Sequence, residues 1–197
     1  MSLEKFINSV WLNLEKSKKK EPTDLNEVFK IDYNLFDQII KKQNQNEIKN
    51  IIEKFYSGDI IILKKAFTKE FLEKIKSYLV KNYNSKKSEF YKLKEKCPNF
   101  HRVIDKNVSK KYILQSNRHD YYFFPWNRRK EEFDIFNYFY PKWRNIKLLS
   151  GLNSKEFEDN TPVDGTIDRI VFRVYPNNSG YLQPHTDPKT VRIITGI

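Results

Sequence analysis

An imidazole and a carboxylate stand two residues apart, as His185 and Asp187, in the stretch Tyr175-Pro-Asn-Asn-Ser-Gly-Tyr-Leu-Gln-Pro-His-Thr-Asp-Pro188 of a 197-residue chain. Non-haem Fe(II) takes two imidazoles and one carboxylate on one face and keeps its other positions open. A His-x-Asp unit at the end of a strand supplies two of those ligands from one segment. His185 then points inward from the last strand position, and Asp187 swings back from the turn beyond it. Pro184 and Pro188 stiffen both flanks.

The elements around this unit are predicted to be strands. Asp164-Gly165 is a tight-turn signal, and Thr166-Ile-Asp-Arg-Ile-Val-Phe-Arg-Val-Tyr175 reads as a strand after it. Alternation puts Arg169, Val171, Arg173 and Tyr175 on one face and Ile170, Phe172 and Val174 on the other. Asn177-Asn-Ser-Gly180 turns the chain, Gly180–His185 reads as the returning strand, and Thr190–Ile197 as the next.

Helices dominate the earlier chain. Leu3, Phe6, Ile7, Val10, Trp11 and Leu14 recur at helical spacing, and the polar run ending at Pro22 breaks that pattern. Helices are expected near Tyr33–Lys42 and Gln45–Tyr56, with Gly58 closing the second. Asp59-Ile-Ile-Ile-Leu63 is a strand, and Thr68 caps a helix over Lys69–Tyr83. A further helix is expected over Lys86–Lys96, and signals are mixed from Phe100 to Asp120. Tyr121-Tyr-Phe-Phe-Pro-Trp126 is an aromatic strand stopped by proline, followed by two helices near Lys130–Tyr140 and Lys142–Leu149, the latter closed by Gly151. Helices first and strands last make an α+β chain with its sheet at the C-terminal end. The division expected is an N-terminal helical extension over 1–57 and a catalytic domain over 58–197.

Composition narrows the function classes. The net charge of +12 attracts polyanions, but the lysines are scattered along the chain. Specific nucleic-acid binding is therefore the less favoured reading. The single Cys97 cannot form an intrachain disulfide and suits a reducing compartment, so the cytoplasm is expected. No apolar run approaches the roughly 18 residues of a membrane span. Cys97 lacks an evident partner histidine, Glu131 and Glu132 read as solvated charges as do Glu156 and Glu158, and no phosphate-cradling glycine loop or zinc-type cluster occurs.

The segment Arg173-Val-Tyr-Pro-Asn-Asn-Ser-Gly-Tyr-Leu-Gln-Pro-His-Thr-Asp-Pro-Lys-Thr-Val-Arg192 resembles the first metal-binding segment of the 2-oxoglutarate- and Fe(II)-dependent dioxygenases. The prolyl-hydroxylase-like branch is nearest, and the aspartyl/asparaginyl β-hydroxylase branch almost as near. Gly58-Asp-Ile-Ile-Ile-Leu-Lys-Lys-Ala-Phe-Thr-Lys-Glu-Phe-Leu is similar to the way those catalytic domains begin. The likeness is specific over Arg173–Arg192 and diffuse from Gly58 onward.

The resemblance implies a double-stranded β-helix, a jelly-roll relative of the cupins, here incomplete at its C-terminal end and preceded by helices. It implies Fe(II), with 2-oxoglutarate as co-substrate decarboxylated to succinate, and hydroxylation of a small-molecule or peptide substrate. His185 and Asp187 match the first two iron ligands, and Tyr175 matches a position whose phenol faces the co-substrate. Arg173 is a polar neighbour of that pocket, and Arg192 a candidate carboxylate partner. The family's third ligand is a histidine on a later strand, whereas His101 and His119 both precede the motif. The chain is accordingly expected to be truncated and to bind iron poorly. Two other readings stay open: an oxygenase of this class directed at nucleic acid, and a non-catalytic jelly-roll or helical interaction module in which His-x-Asp is incidental.

Overall fold

The computed structural model describes residues 1–17, 27–82, 100–104, 114–116, 118–127, 130–160, 167–175, 177–178 and 180–182. The described residues form an α+β chain that divides into two compact units. One joins Met1–Lys69 to Asp134–Glu156, and the other joins Glu70–Phe133 to Phe157–Ile197. No described helix is long and apolar enough to cross a membrane.

In the first unit, α1 (Leu3–Lys16) starts at Ser2, whose side chain accepts from the Lys5 amide, and buries Ile7 and Val10. Its Trp11 donates from Nε1 to the Leu149 carbonyl at 2.9 Å and meets Phe55 and Tyr56 edge-on. A strand absent from the sequence reading, β1 (Val28–Asp32), pairs in parallel with β2 (Ile60–Lys64). Helices α2 (Tyr33–Lys41) and α3 (Gln45–Tyr56) make the crossover between them. Asp32 ends β1 and caps α2 by accepting from the Asn34 amide, so strand and helix meet without a loop. Gly58 takes φ +88° after α3, a conformation that costs glycine little.

One face of the β1–β2 pair carries Phe29, Ile31, Ile61 and Leu63 into a cluster with Ile7, Val10, Phe36, Ile40, Ile48 and Ile52. Each such side chain contributes about 1.5–3 kcal/mol on burial. Leu148 and Leu149 join the same cluster from α5 (Phe133–Leu149). That element runs unbroken through Pro141, where two helices were expected. Proline removes one amide donor and crowds the preceding turn. The helix persists because its residues on both sides of Pro141 are held, Tyr140 by burial and Asn145 by hydrogen bonds to Asp37 and Tyr33. In the same seam, burial and then the nearby Asp37 carboxylate push the Tyr33 hydroxyl up to about 12. Burial pushes the Lys142 ammonium down, although it sits 3.8 Å over the Tyr138 ring.

The second unit holds α4 (Lys69–Asn82) and the strands β3 (Phe100–Ile104), β4 (Leu114–Ser116), β5 (Arg118–Phe123), β6 (Ile170–Val174) and β7 (Gly180–Leu182). Three of them make an antiparallel sheet in the order β3-β5-β6, and β4 pairs with β7 alone. A complete jelly-roll is not present among the described residues. On one face of the larger sheet, Phe123 packs against Phe172 and Tyr78, and the Tyr78 hydroxyl donates to the buried Glu132 carboxylate at 2.8 Å.

The expected return of the chain against β6 is not what forms. Gly180–Leu182 pairs instead with β4, the segment just before β5. Residues 175–179 separate β6 from β7, and Asn178 takes φ +58°. The expected helix over Lys86–Lys96 and strand over Thr190–Ile197 lie outside the described residues.

Candidate functional site

The described part of the candidate site is one face of the β3-β5-β6 sheet. Its centre is Asp120, midway along β5 and fully buried. A carboxylate removed from water is costly unless opposite charge and hydrogen bonds compensate it. Asp120 has both: the Tyr122 hydroxyl donates to Oδ2 at 3.0 Å, and Arg173 Nε stands 3.4 Å from Oδ1.

The strand registers explain the meeting. Asp120 lies opposite Arg173 on β6 and opposite Arg102 on β3, so the three occupy one cross-strand row. Tyr122 lies opposite Val171, one step along the same face. Arg169 extends the group, with its guanidinium 5.3 Å from the centroid of the Tyr122 ring. Tyr122 and Phe124 form a buried cluster, with Trp126, Ile167 and Val171 packed against it.

Among the residues singled out by sequence, Arg173 and Tyr175 are described. Ile170 and Phe172 are buried, whereas Arg169, Arg173 and Tyr175 are exposed, so the alternation along β6 is as expected. Arg173 is 42% exposed although it contacts a fully buried carboxylate. Tyr175 is 44% exposed. His185, Asp187 and Arg192 lie outside the described residues. Among the described residues no three His, Cys, Asp or Glu side chains converge as a metal site would require. His101 and His119 occupy adjacent strands, opposite Tyr121 and Val103 respectively.

The approach to the His-x-Asp unit is described up to Leu182. The β5–β6 ladder runs from Phe123↔Ile170 to His119↔Val174, and the β4–β7 ladder from Ser116↔Gly180 to Leu114↔Leu182. Between the two ladders the first arm has two residues and the second has five. The surplus residues form the Asn-rich segment, and the second ladder ends three residues before His185.

Sequence reasoning missed Asp120. Its signal is a lone carboxylate at the alternate position of an aromatic strand, in Arg118-His-Asp-Tyr-Tyr-Phe-Phe124. Such a residue must find a cation if the strand is central, and β5 is the middle strand of its sheet.

Comparison with family models, with curated proteins and with solved structures finds no match to this chain.

Proposed function

We propose that the chain carries the first metal-binding segment of a 2-oxoglutarate- and Fe(II)-dependent oxygenase, with His185 and Asp187 as iron ligands. The observation that supports it best is the path of β6 and β7. β6 pairs with β5, and β7 pairs with β4, the segment just before β5, so the same two arms of the chain stay antiparallel on the way to the His-x-Asp unit. An antiparallel arm with the ligands beyond its end is compatible with a jelly-roll, and the finer fold proposed is a double-stranded β-helix.

The donor set suits ferrous iron, since imidazole and carboxylate together match its preference for mixed nitrogen and oxygen ligands. The paired strand β7 ends three residues before His185 in the chain. Bound there, iron and 2-oxoglutarate would supply the oxidising power for hydroxylation. The protein's own part is to hold and orient. His185 would bind through a neutral ring nitrogen and Asp187 through an ionised carboxylate. Arg173 lies on β6 and is held by Asp120, and Tyr175 follows the end of that strand. Arg192 follows the ligands by a few residues and is assigned to a carboxylate of the co-substrate.

Cobalt(II) titration tests the ligand assignment, because Co(II) occupies Fe(II) sites and reports its coordination by visible absorption. His185→Ala and Asp187→Ala should each weaken binding at least about tenfold, the loss expected for removal of a ligating group. Addition of 2-oxoglutarate should shift the spectrum of the native chain and not that of the variants. Binding that is unaltered by both substitutions removes the iron site and the oxygenase reading with it.

A further inference from the structure

We infer that the arginine-bearing face of the β3-β5-β6 sheet is a binding surface for a nucleic-acid strand, engaged through its phosphates. Four of the eight arginines of the chain, Arg102, Arg118, Arg169 and Arg173, fall at positions of this face. Arg102 and Arg173 flank Asp120 in register, Arg118 is the alternate residue before Asp120 on β5, and Arg169 is the alternate residue before Val171. Elsewhere the positive charge of the protein is carried mainly by scattered lysines. Arginine and lysine are not equivalent in this role, because the planar guanidinium grips a phosphate with two parallel donors.

The face is also pre-organised. Asp120 is fully buried and holds Arg173 by an ion pair, and through the Tyr122 hydroxyl it fixes the ring over which Arg169 lies. One inaccessible carboxylate thereby orients two exposed guanidinium groups while leaving the row with a cationic excess. Fixing the rotamers in advance lowers the entropy cost of gripping an anion. Tyr175, just beyond the end of β6, adds an exposed aromatic ring, and base stacking on such a ring is the sequence-tolerant contact of single-strand binders. The net charge of +12 draws an extended polyanion to the molecule. A lipid surface suits the face less well: its exposed described side chains are Arg169, Arg173 and Tyr175, without the apolar ridge that inserts into a bilayer.

The inference names a substrate class for the proposed oxygenase and rests on that reading only for the chemistry done on the strand. Binding can therefore be measured without iron or 2-oxoglutarate, and its failure is separate from failure of the metal site. The probe is a fluorescein-labelled 20-nucleotide single strand, in DNA and RNA versions, followed by anisotropy across a salt series. Arg169→Gln should weaken binding about five- to tenfold and reduce the salt slope by about one. Arg173→Lys keeps a cation beside Asp120 and loses the fork, with a loss of similar size. Tyr175→Ala should weaken binding several-fold without altering the slope. Lys5→Gln, on the exposed side of α1, controls for bulk charge and should change affinity less than twofold. Circular dichroism checks that each variant is folded. Equal losses for Lys5→Gln and Arg169→Gln would mean attraction to any polyanion and overturn the assignment. So would native affinity in Arg169→Gln and Arg173→Lys, or equally tight Arg169-dependent binding to anionic phospholipid vesicles.

Discussion

Asp120 and Arg173 are unequal partners, because one is shut away from water and the other is not. The carboxylate is fully buried, while 42% of the arginine side chain is exposed. Removing the arginine leaves a buried charge short of compensation; removing the carboxylate leaves a guanidinium that water can reach. Breaking a fully buried pair costs about 3–5 kcal/mol, and partial exposure of Arg173 lowers that figure. Arg173→Ala should therefore destabilise by about 2–3 kcal/mol, and Asp120→Asn by about 1 kcal/mol because the Tyr122 hydroxyl can still bond the amide. Urea denaturation of the two variants checks the order. An Asp120→Asn loss larger than that of Arg173→Ala would show that the carboxylate has weightier partners than Arg173. The same asymmetry explains why Arg173→Lys is the safer probe of ligand binding: the cation stays with the buried charge while the geometry of its donors is lost.

At the scale of elements, what could be read from the sequence depended on how local each signal was. The stripes of α1, α2, α3 and α4 repeat within a single segment, and their limits fall within a few residues of the periodic patterns. β6 is likewise written in its own alternation. β1 was overlooked because Val28-Phe-Lys-Ile-Asp32 is short and charged at alternate positions, and it becomes a strand by pairing with β2, some thirty residues away. β4 and β7 are three residues each and owe their existence to one another. No periodicity within either could have announced them. The burial of Asp120 belongs to the same class, since it follows from the position of β5 between two strands. Pro141 misled for a different reason: a local breaker was overruled by the packing of the residues around it. That override has a measurable cost. Proline inside a helix is about 3 kcal/mol worse than alanine, and Pro141 is exposed, so its ring contributes little packing in return. Pro141→Ala should raise stability by about 1–3 kcal/mol in a thermal melt followed by circular dichroism. A lower melting temperature would show that Pro141 is needed to seat Lys142 over the Tyr138 ring.

Across the whole molecule, the order of elements in the chain and their grouping in space disagree. The first compact unit takes in Met1–Lys69 and then, after more than sixty intervening residues, Asp134–Glu156. Its apolar cluster draws on both stretches: Ile7, Val10, Phe36, Ile39, Ile40, Ile48, Ile51 and Ile52 lie before Gly58, while Ile61, Leu63, Leu148 and Leu149 lie after it. Trp11 ties the two ends together through the Leu149 carbonyl. Gly151 takes φ +80°, with any added Cβ held 3.3 Å from the indole ring. Eight buried apolar side chains at about 1.5–3 kcal/mol each are comparable with the whole 5–15 kcal/mol by which a domain is ordinarily stable. A chain begun at Gly58 should thus lose the ordered state of β2 and of α5 from Asp134 onward, leaving their apolar faces open to water. The β5–β6 ladder draws its described contacts from the second unit, through Phe172, Phe123 and Tyr78, and should survive the deletion. Amide hydrogen exchange separates the two outcomes within one experiment. Fast exchange across Ile135–Leu149 beside slow exchange across Asp120–Phe123 is the expected pattern, and native protection at Ile146–Leu149 in the shortened chain would show that the N-terminal helices are dispensable to the unit they complete.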